Sequence, residues 1–238
     1  VVSVARRWGG MIKYACNNFL ALKISYMNDI ASLCELVGAN IDDVSEGMRY
    51  DPRIGAKFLK AGVGYGGSCF PKDTKALTYL ARQHGAQLKT VDAAVEINAA
   101  QKTRLFEKAK KRLMTFENVK VAVLGLAFKP GTDDLREAPA LDNVRLLLEH
   151  GADVVCYDPI AAKNFGKLFP NVPLAKSVEE ALSGAFCCFV FTEWEEFIRL
   201  SPEVFRRNMR VPLVYDGRNI FDPEHMKRGG VEYYSIGR

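Results

Sequence analysis

The first half of the chain carries apolar residues at helical spacing. Between residues 11 and 37 an apolar side chain recurs every three or four positions, which predicts one amphipathic helix. These positions are Ile12, Ala15, Phe19, Leu22, Met27, Ile30, Leu33 and Val37. We expect Gly38 to end this helix, because glycine readily adopts the left-handed conformation of a C-terminal cap. Shorter helices are predicted from Asn40 toward Met48 and from Asp73 to Arg82.

A longer helical pattern covers residues 91–114 and joins the two halves of the chain. Its apolar positions, among them Leu105 and Ala109, can be buried while a lysine- and arginine-rich side faces water. Because Glu107 precedes Lys111 by one helical turn, we interpret this basic side as a solvated helix face. The alternative, a surface that binds nucleic acid, rests only on mild basicity.

The pattern changes after Asn118, where β-branched runs begin to alternate with helical stretches. Strands are predicted at residues 120–126, 153–157, 185–191, 211–215 and 231–234, with helices at 141–149 and 177–182 between them. This alternation predicts a parallel sheet with right-handed crossovers. The expected fold class is therefore α/β, with an all-helical domain followed by a Rossmann-like, doubly wound parallel-sheet domain.

Composition narrows the class of protein without identifying it. The chain has 238 residues, of which 48% are hydrophobic and 26% charged, and this balance excludes a disordered or low-complexity scaffold. No apolar run approaches the roughly 20 residues of a membrane span. The six cysteines form no CxxC pair, so we predict reduced thiols, a cytoplasmic protein and no metal site. Five of them are predicted to be small core residues, and Cys69 is the exception.

Cys69 lies in the segment Gly62–Thr74, GVGYGGSCFPKDT, which carries the most distinctive chemistry. Its glycines would allow close backbone approach to a ligand and direct N–H groups toward it. Cys69 stands at the predicted start of a helix with Lys72 nearby, and both features favour a nucleophilic thiolate. Asp73 follows one helical turn later and is a candidate for orienting a water molecule. A glycine loop with a structural cysteine is the alternative.

Two further segments contain candidate site residues. Lys13 and Asn17 share one face of the first helix and could stabilise an oxyanion, although a surface lysine and amide are the simpler interpretation. The segment GLAFKPGTDDLR, residues 125–136, follows the first strand, where α/β sheets bind phosphates. Arg218 follows the fourth strand at the same expected edge and could meet a phosphate or an acid.

Taken together, these segments resemble UDP-glucose 6-dehydrogenases, of the UDP-glucose/GDP-mannose dehydrogenase family. The resemblance rests on MIKYACNNFLALKISYMNDIA, GVGYGGSCFPKDT, LGLAFKPGTDDLREAPA and DGRNIFDP, and it covers the chain from about residue 11 onward. It implies oxidation of the primary alcohol of a nucleotide sugar to a carboxylate with two NAD. Dehydrogenases of GDP-mannose or UDP-N-acetylmannosamine and a non-catalytic UDP-sugar-binding or dimerisation module are the alternatives.

The resemblance also implies a role for individual residues. Cys69 would form a thiohemiacetal and then a thioester, Asp73 would activate water, and Lys13 and Asn17 would stabilise oxyanions. The implied UDP-glucose contacts are Phe58, Lys60, Tyr65, Gly66, Phe128, Lys129 and Arg218, with Arg53 reaching the substrate of a neighbouring subunit in a homodimer or higher oligomer. Lys72 and Arg136 would contact NAD.

The same resemblance implies a division into domains. Residues 1–10 form an atypical N-terminal segment, 11–100 a central helical domain for dimerisation and catalysis, 101–118 a connecting helix and 119–238 a UDP-sugar-binding domain. A family member would carry an N-terminal NAD-binding Rossmann domain ahead of residue 11, and we expect this chain to be a truncated form with little activity alone.

Overall fold

The first half of the protein is a helical layer built around one long helix. The computed structural model describes residues 6–238, with side chains from residue 9 onward. The helices are α1 (Arg6–Val37), α2 (Ile41–Arg49), α3 (Cys69–Gln83), α4 (Lys89–Lys102) and α5 (Arg104–Leu113). Gly38 ends α1 with φ +74°, and the Asn40 side chain caps α2, which confirms both predicted helix signals.

Helix α1 begins earlier than the sequence pattern indicates. It starts at Arg6, so that Gly9 and Gly10 are helical despite a cost of about 1 kcal/mol each relative to alanine. Residues 1–5 of the predicted N-terminal segment lie outside the described residues.

Helix α1 buries a face made mainly of small residues. Ala21, Ser25 and Ala31 are fully buried on this face. Helix α1 packs against α3 and α4, and the Ser25 hydroxyl donates to the Ala94 carbonyl of α4 at 2.7 Å. The larger apolar residues that define the helical period lie partly on another face, where Phe19 is 61% and Leu33 53% exposed. Helix α1 therefore has two apolar faces. Within residues 6–238, only the face of small residues is packed against other elements.

The predicted helix over residues 91–114 is wrong as a single element. The chain breaks at Thr103, between α4 and α5, and α5 ends at Leu113. At the break the Lys102 carbonyl accepts a hydrogen bond of 2.7 Å from the Asn143 side chain, a partner that lies 41 residues away in sequence. The connecting helix is thus shorter than residues 101–118, and the division into domains stays a prediction.

The second half is the expected α/β layer. In the described part of the chain, five parallel strands form one sheet in the order β2-β1-β3-β4-β5, which confirms the fold class. The strands are β1 (Lys120–Leu124), β2 (Asp153–Tyr157), β3 (Cys187–Val190), β4 (Leu213–Asp216) and β5 (Glu232–Tyr234). β3 and β4 are buried throughout, as expected for strands covered on both faces.

Helices cover both faces of this sheet. They are α6 (Pro139–Glu149), α7 (Ala162–Leu168), α8 (Val178–Leu182), α9 (Glu195–Ile198), α10 (Pro202–Asn208) and α11 (Pro223–Arg228). α6 and α8 are the two that the sequence pattern predicts. The sequence pattern does not predict the other four, which have four to seven residues each.

Residues 235–238 join the sheet layer to the helical layer. The Gly237 amide donates to Glu35 Oε1 at 2.7 Å, and its carbonyl accepts from the Ile41 amide at 2.8 Å. Arg238 forms an ion pair of 2.6 Å with Asp42. Glu35 also pairs with two cations of α5, so that the first and last parts of the described chain are bound together.

The cysteines divide into buried and exposed thiols. Cys34, Cys156, Cys187 and Cys188 are buried, as predicted, and burial raises the pKa of the Cys187 thiol to about 12. Cys16 is exposed on α1, so its prediction as a core residue is wrong. It belongs to the first turns of α1, where the described chain packs little against that side. Among the described residues, no helix is both long and apolar enough to cross a membrane.

Candidate active site

The glycine segment is held in shape by three buried amide side chains. The Asn98 side chain of α4 accepts from the Tyr65 amide at 2.8 Å and donates to the Tyr65 carbonyl at 3.1 Å. Gln101 donates to the Gly62 carbonyl at 2.7 Å, and Asn28 of α1 accepts from the Gly62 amide at 2.8 Å. Side-chain amides therefore stand in for the backbone partners that a strand or helix would supply.

Several N–H groups of this segment point into the protein and not toward a ligand. Besides Gly62 and Tyr65, the Val63 amide donates to the Gly217 carbonyl at 2.8 Å and the Gly67 amide to the Arg136 carbonyl at 2.7 Å. The expectation that these amides face a ligand is wrong for all four. They bind the neighbouring elements because residues 61–67 are buried and their polar groups need partners.

Glycine is required here by close approach to the sheet layer. A Cβ on Gly66 would lie 2.9 Å from the Glu137 carbonyl carbon and nearer still to its oxygen. Gly67 has φ +78°, and a Cβ there would lie 2.7 Å from the Phe128 ring. The glycines thus seat the loop against residues 128–137 of the sheet layer.

Cys69 is exposed at the first position of α3. Its Sγ lies 3.9 Å from Ser68 Oγ. The hydrogen bond and the charge of Asp134 raise the pKa of the Arg136 guanidinium, and a thiolate at Cys69 would add a smaller effect in the same direction. Lys72, in the first turn of α3, is exposed. The open thiol therefore lies at a helix start, among cationic side chains.

Asp73 lies one turn further along α3 and is fully buried against α1. Asn17 donates to its Oδ2 at 2.6 Å, and Asn18 donates to its main-chain carbonyl at 3.2 Å. Asp73 Oδ1 is buried without a partner in the described chain. A buried carboxylate oxygen without a hydrogen-bond donor is energetically costly. Lys13 is exposed one turn before Asn17 on the same helix.

A cleft of about 310 Å³ opens between the glycine segment and the carboxyl edge of the sheet. Polar groups of Lys60, Glu193 and Arg218 line it. Apolar side chains of Ile24, Ile198 and Ile220 line the same cleft. Lys60 and Arg218, predicted separately from distant segments, are therefore brought together.

Arg218 joins the two halves of the cleft. Its guanidinium donates to the carbonyls of Phe191 at 2.8 Å, Gly64 at 3.1 Å and Phe128 at 3.1 Å. Burial lowers its pKa, and Glu193 and Asp216 oppose that effect. The expectation of an arginine available for a ligand is only partly met, because three of its five donors bind backbone carbonyls.

Aromatic side chains surround the loop that leads to Cys69. Phe70 forms edge-to-face contacts with Phe58 at 6.2 Å and with Tyr65 at 5.6 Å between ring centroids. Phe58 has φ +64°, a left-handed conformation that is strained for a bulky residue. Lys129 is exposed, with its ammonium 5.4 Å from the Phe128 ring.

Arg53 lies outside the cleft. Its guanidinium is bound by Asp51 at 2.6 Å, and its side chain is 87% exposed. It borders a separate, largely apolar groove of about 390 Å³ with Phe19, Tyr26 and Ile54 of the same chain. Within one copy of the chain, Arg53 is therefore not brought together with the other predicted contacts.

Sequence reasoning missed Glu137 and the three amides that hold the loop. Glu137 has φ +53° and accepts from Lys102 at 2.7 Å and Lys75 at 2.9 Å, which lowers its pKa to about 2. Asn98 and Gln101 are three residues apart, and this spacing could have predicted that both amides lie on one face of α4. Nothing local marks Asn28 or Glu137.

The described part of the chain holds no cluster of three or more potential metal-ligating side chains.

Comparison with known proteins identifies the class. Residues 9–100 match the central domain of the UDP-glucose/GDP-mannose dehydrogenase family, and residues 122–223 match its UDP binding domain. The described fold is therefore that of two domains of this dehydrogenase family. The chain belongs to the UDP-glucose/GDP-mannose dehydrogenase family.

Individual proteins with similar sequences are named as members of the same family of dehydrogenases. The chain is 44% identical over 239 residues to a UDP-glucose 6-dehydrogenase of Rhizobium meliloti, covering 100% of this chain and 55% of the relative. It is 43% identical to one of Bacillus subtilis, covering 96% of this chain and 50% of the relative. The chain spans about half the length of these relatives.

Solved structures of similar proteins share the fold. The UDP-glucose dehydrogenase of Pyrobaculum islandicum has a TM-score of 0.83 at 33% identity, over 94% of this chain and 49% of that one. The NDP-N-acetyl-D-galactosaminuronic acid dehydrogenase of Methanosarcina mazei has a TM-score of 0.83 at 28% identity, over 96% and 50%.

Proposed function

We propose that this chain supplies the nucleophile and the UDP-sugar cleft of an NAD-dependent UDP-glucose 6-dehydrogenase, which oxidises UDP-glucose to UDP-glucuronate. The observation that carries the proposal is the pairing of an exposed cysteine at a helix start with a buried, amide-bound aspartate one turn later. The relatives named UDP-glucose 6-dehydrogenase support the choice of sugar.

Cys69 is the proposed nucleophile. After the C6 alcohol has been oxidised to an aldehyde, Sγ forms a bond to C6 and gives a thiohemiacetal. The second oxidation turns this carbon into a thioester. Water then attacks the thioester carbonyl, the C–S bond breaks, and Cys69 leaves as a thiolate while the carboxylate product forms. Exposure of Cys69 supports this role, because the thiol has to reach the substrate.

Asp73 and Asn17 are proposed to act on that water and on the charge that develops at C6. The unpartnered Oδ1 of Asp73 can accept a proton from water, and Asn17 fixes the carboxylate through Oδ2. Asn17 has a second N–H donor, which remains for an oxyanion. Lys13, exposed one turn earlier, can place its ammonium beside the same oxygen.

When bound, NAD accepts a hydride from C6 in each oxidation. Two exposed cations near Cys69 fit the diphosphate of a dinucleotide. The exposed Lys72 ammonium has no hydrogen-bond or ion-pair partner among the side chains that the structure describes from residue 9 onward, whereas Arg136 binds Asp134 at 2.8 Å. We therefore expect Lys72 to contribute more to NAD affinity than Arg136. The family resemblance implies that the rest of the dinucleotide site would lie in a separate NAD-binding Rossmann domain.

The cleft beside Arg218 is the proposed site for the UDP part of the substrate. Its volume of about 310 Å³ lies at the lower end of the range for ligand cavities, roughly 300–1,000 Å³. Lys60 and the two unused donors of Arg218 can bind phosphate. We propose that Phe58, Tyr65, Gly66, Phe128 and Lys129 complete this surface.

We propose a homodimer, or a higher oligomer, that covers the second apolar face of α1. Phe19, Tyr26, Leu33, Leu36 and Val37 are each at least half exposed there. The apolar groove beside Arg53 is continuous with this face through Phe19 and Tyr26. We expect no nucleic-acid or membrane partner and a cytoplasmic location.

Two measurements test the function. Isothermal titration should detect binding of UDP-glucose and none of GDP-mannose. Alkylation by iodoacetamide, followed by peptide mass spectrometry, should be slowed by UDP-glucose at Cys69 and unchanged at Cys16, the other exposed thiol. No binding of either nucleotide sugar would overturn the proposal. Binding of UDP-N-acetylmannosamine in place of UDP-glucose would favour that nucleotide sugar as the substrate.

A further inference from the structure

Lys23 of α1 binds a loop that leads into the cleft. Its ammonium lies 3.0 Å from the Ile54 carbonyl oxygen, 3.3 Å from that of Gly55 and 2.6 Å from that of Lys57. An ammonium has three N–H donors, so these three carbonyls use all of them. Lys23 is therefore occupied in holding backbone and has no donor left for a ligand.

The loop that it holds has no helix or strand of its own between α2 and α3. Gly55 and Phe58 both have left-handed φ values, +74° and +64°. Carbonyls in such irregular backbone lack the partners that regular structure supplies, and a cation is an effective substitute. Lys23 thus replaces the hydrogen-bond ladder that this segment does not form.

The predicted substrate surface begins where this loop ends. Phe58 comes directly after the last carbonyl that Lys23 binds, Leu59 is buried at 3% exposure, and Lys60 lines the cleft. Arg53 comes directly before the first of these carbonyls. The Lys23 ammonium is therefore bound to the stretch of backbone that joins Arg53 to Phe58.

We propose that Lys23 is a positioning residue for UDP-sugar binding, which acts through the backbone of residues 54–57 to place Phe58 and Lys60. The proposal rests on the proposed function of the cleft. Lys23 does not line the cleft itself, although its neighbour Ile24 does. Its loss is expected to weaken substrate affinity without removing any direct contact.

The test compares three variants by titration with UDP-glucose, hydrogen–deuterium exchange and thermal unfolding. Lys23→Met removes the ammonium, Lys23→Arg keeps a cation with several donors, and Lys57→Met is the matched control. The control removes a like charge from the loop itself, where the Lys57 side chain is exposed and forms no hydrogen bond or ion pair with the side chains that the structure describes from residue 9 onward.

We expect Lys23→Met to weaken UDP-glucose binding at least fivefold and to speed amide exchange over residues 54–60. Lys23→Arg should recover part of the affinity, and Lys57→Met should bind like the wild type. A wild type that binds while Lys23→Met binds equally well overturns the role of Lys23 alone. Faster amide exchange throughout the Lys23→Met protein, with no larger increase over residues 54–60, also overturns this role. Lys23 would then contribute to overall stability only. A wild type that does not bind overturns the proposed function, and the role of Lys23 with it.

Discussion

Gly66 is the point where the loop before Cys69 is expected to tolerate an added methyl group least. In Gly66→Ala the new Cβ would lie 2.9 Å from the Glu137 carbonyl carbon, against 3.4–4 Å for an ordinary contact. The obstacle is main chain, which cannot rotate away as a side chain does. Gly66 does not have a left-handed φ, so the expected effect is steric and not conformational.

The expected loss of unfolding free energy in Gly66→Ala follows from overpacking. An inserted methyl group in a close-packed site costs about 1–3 kcal/mol of unfolding free energy. Gly47→Ala is the matched control, because Gly47 lies in α2 with no left-handed φ, and a Cβ there would have nothing within 4 Å. Alanine inside a helix stabilises by about 0.5–1 kcal/mol relative to glycine. The two variants should therefore differ by about 1.5–4 kcal/mol.

Urea unfolding followed by circular dichroism measures both free energies by linear extrapolation. Titration with UDP-glucose on the same samples reports whether the loop is displaced. We expect Gly66→Ala to unfold at lower urea and to bind less tightly, while Gly47→Ala unfolds at higher urea and binds normally. A Gly66→Ala protein as stable as the wild type would refute the claim that the loop is seated against the Glu137 backbone.

Three other results are expected. Because folding lowers the pKa of Glu137 to about 2 from 4.5, its stabilising contribution should be complete above pH 4.5 and lost as the pH falls toward 2; Glu137→Gln should flatten that part of a stability–pH curve. Arg218→Met leaves buried carbonyls without a donor and should lower the unfolding free energy by at least about 2 kcal/mol, seen as a fall of several degrees in Tm; an unchanged Tm would contradict the bridging role. Iodoacetamide should label Cys16 and Cys69 rapidly in the native protein and the other thiols only in urea; Cys69→Ser should leave one fast thiol, and fast labelling of a third would show that the core opens readily.

Local pattern was sufficient for much of the fold. The β-branched run at residues 153–157 predicts β2 to the residue, because both ends are bounded by turn residues and the strand alternates with clear helices. The glycine loop before Cys69 could also be predicted, because five glycines lie within the 13 residues 55–67 and indicate a loop with unusual backbone geometry. These features depend on neighbours in sequence.

Features that depend on distant partners were not predictable in the same way. The break at Thr103 coincides with a hydrogen bond from Asn143, which periodicity over residues 91–114 cannot reveal. Arg218 looks like a ligand-binding arginine until the carbonyls of Gly64 and Phe128 are placed around it. The same limit applies to Asn28, whose buried amide matters only because Gly62 lies against it.

The contacts of residues 235–238 have a consequence for the order in which the protein folds. The hydrogen bond from Gly237 to Glu35 spans 202 residues and the ion pair from Arg238 to Asp42 spans 196. Contacts of such separation form only after a large loop has been closed, and that closure has an entropic cost. During synthesis, α1 would leave the ribosome long before residues 235–238 are made. Until then, contacts with α3 and α4 would have to stabilise α1. The seating of residues 235–238 on α1 and α2 is then expected to be among the last steps of folding.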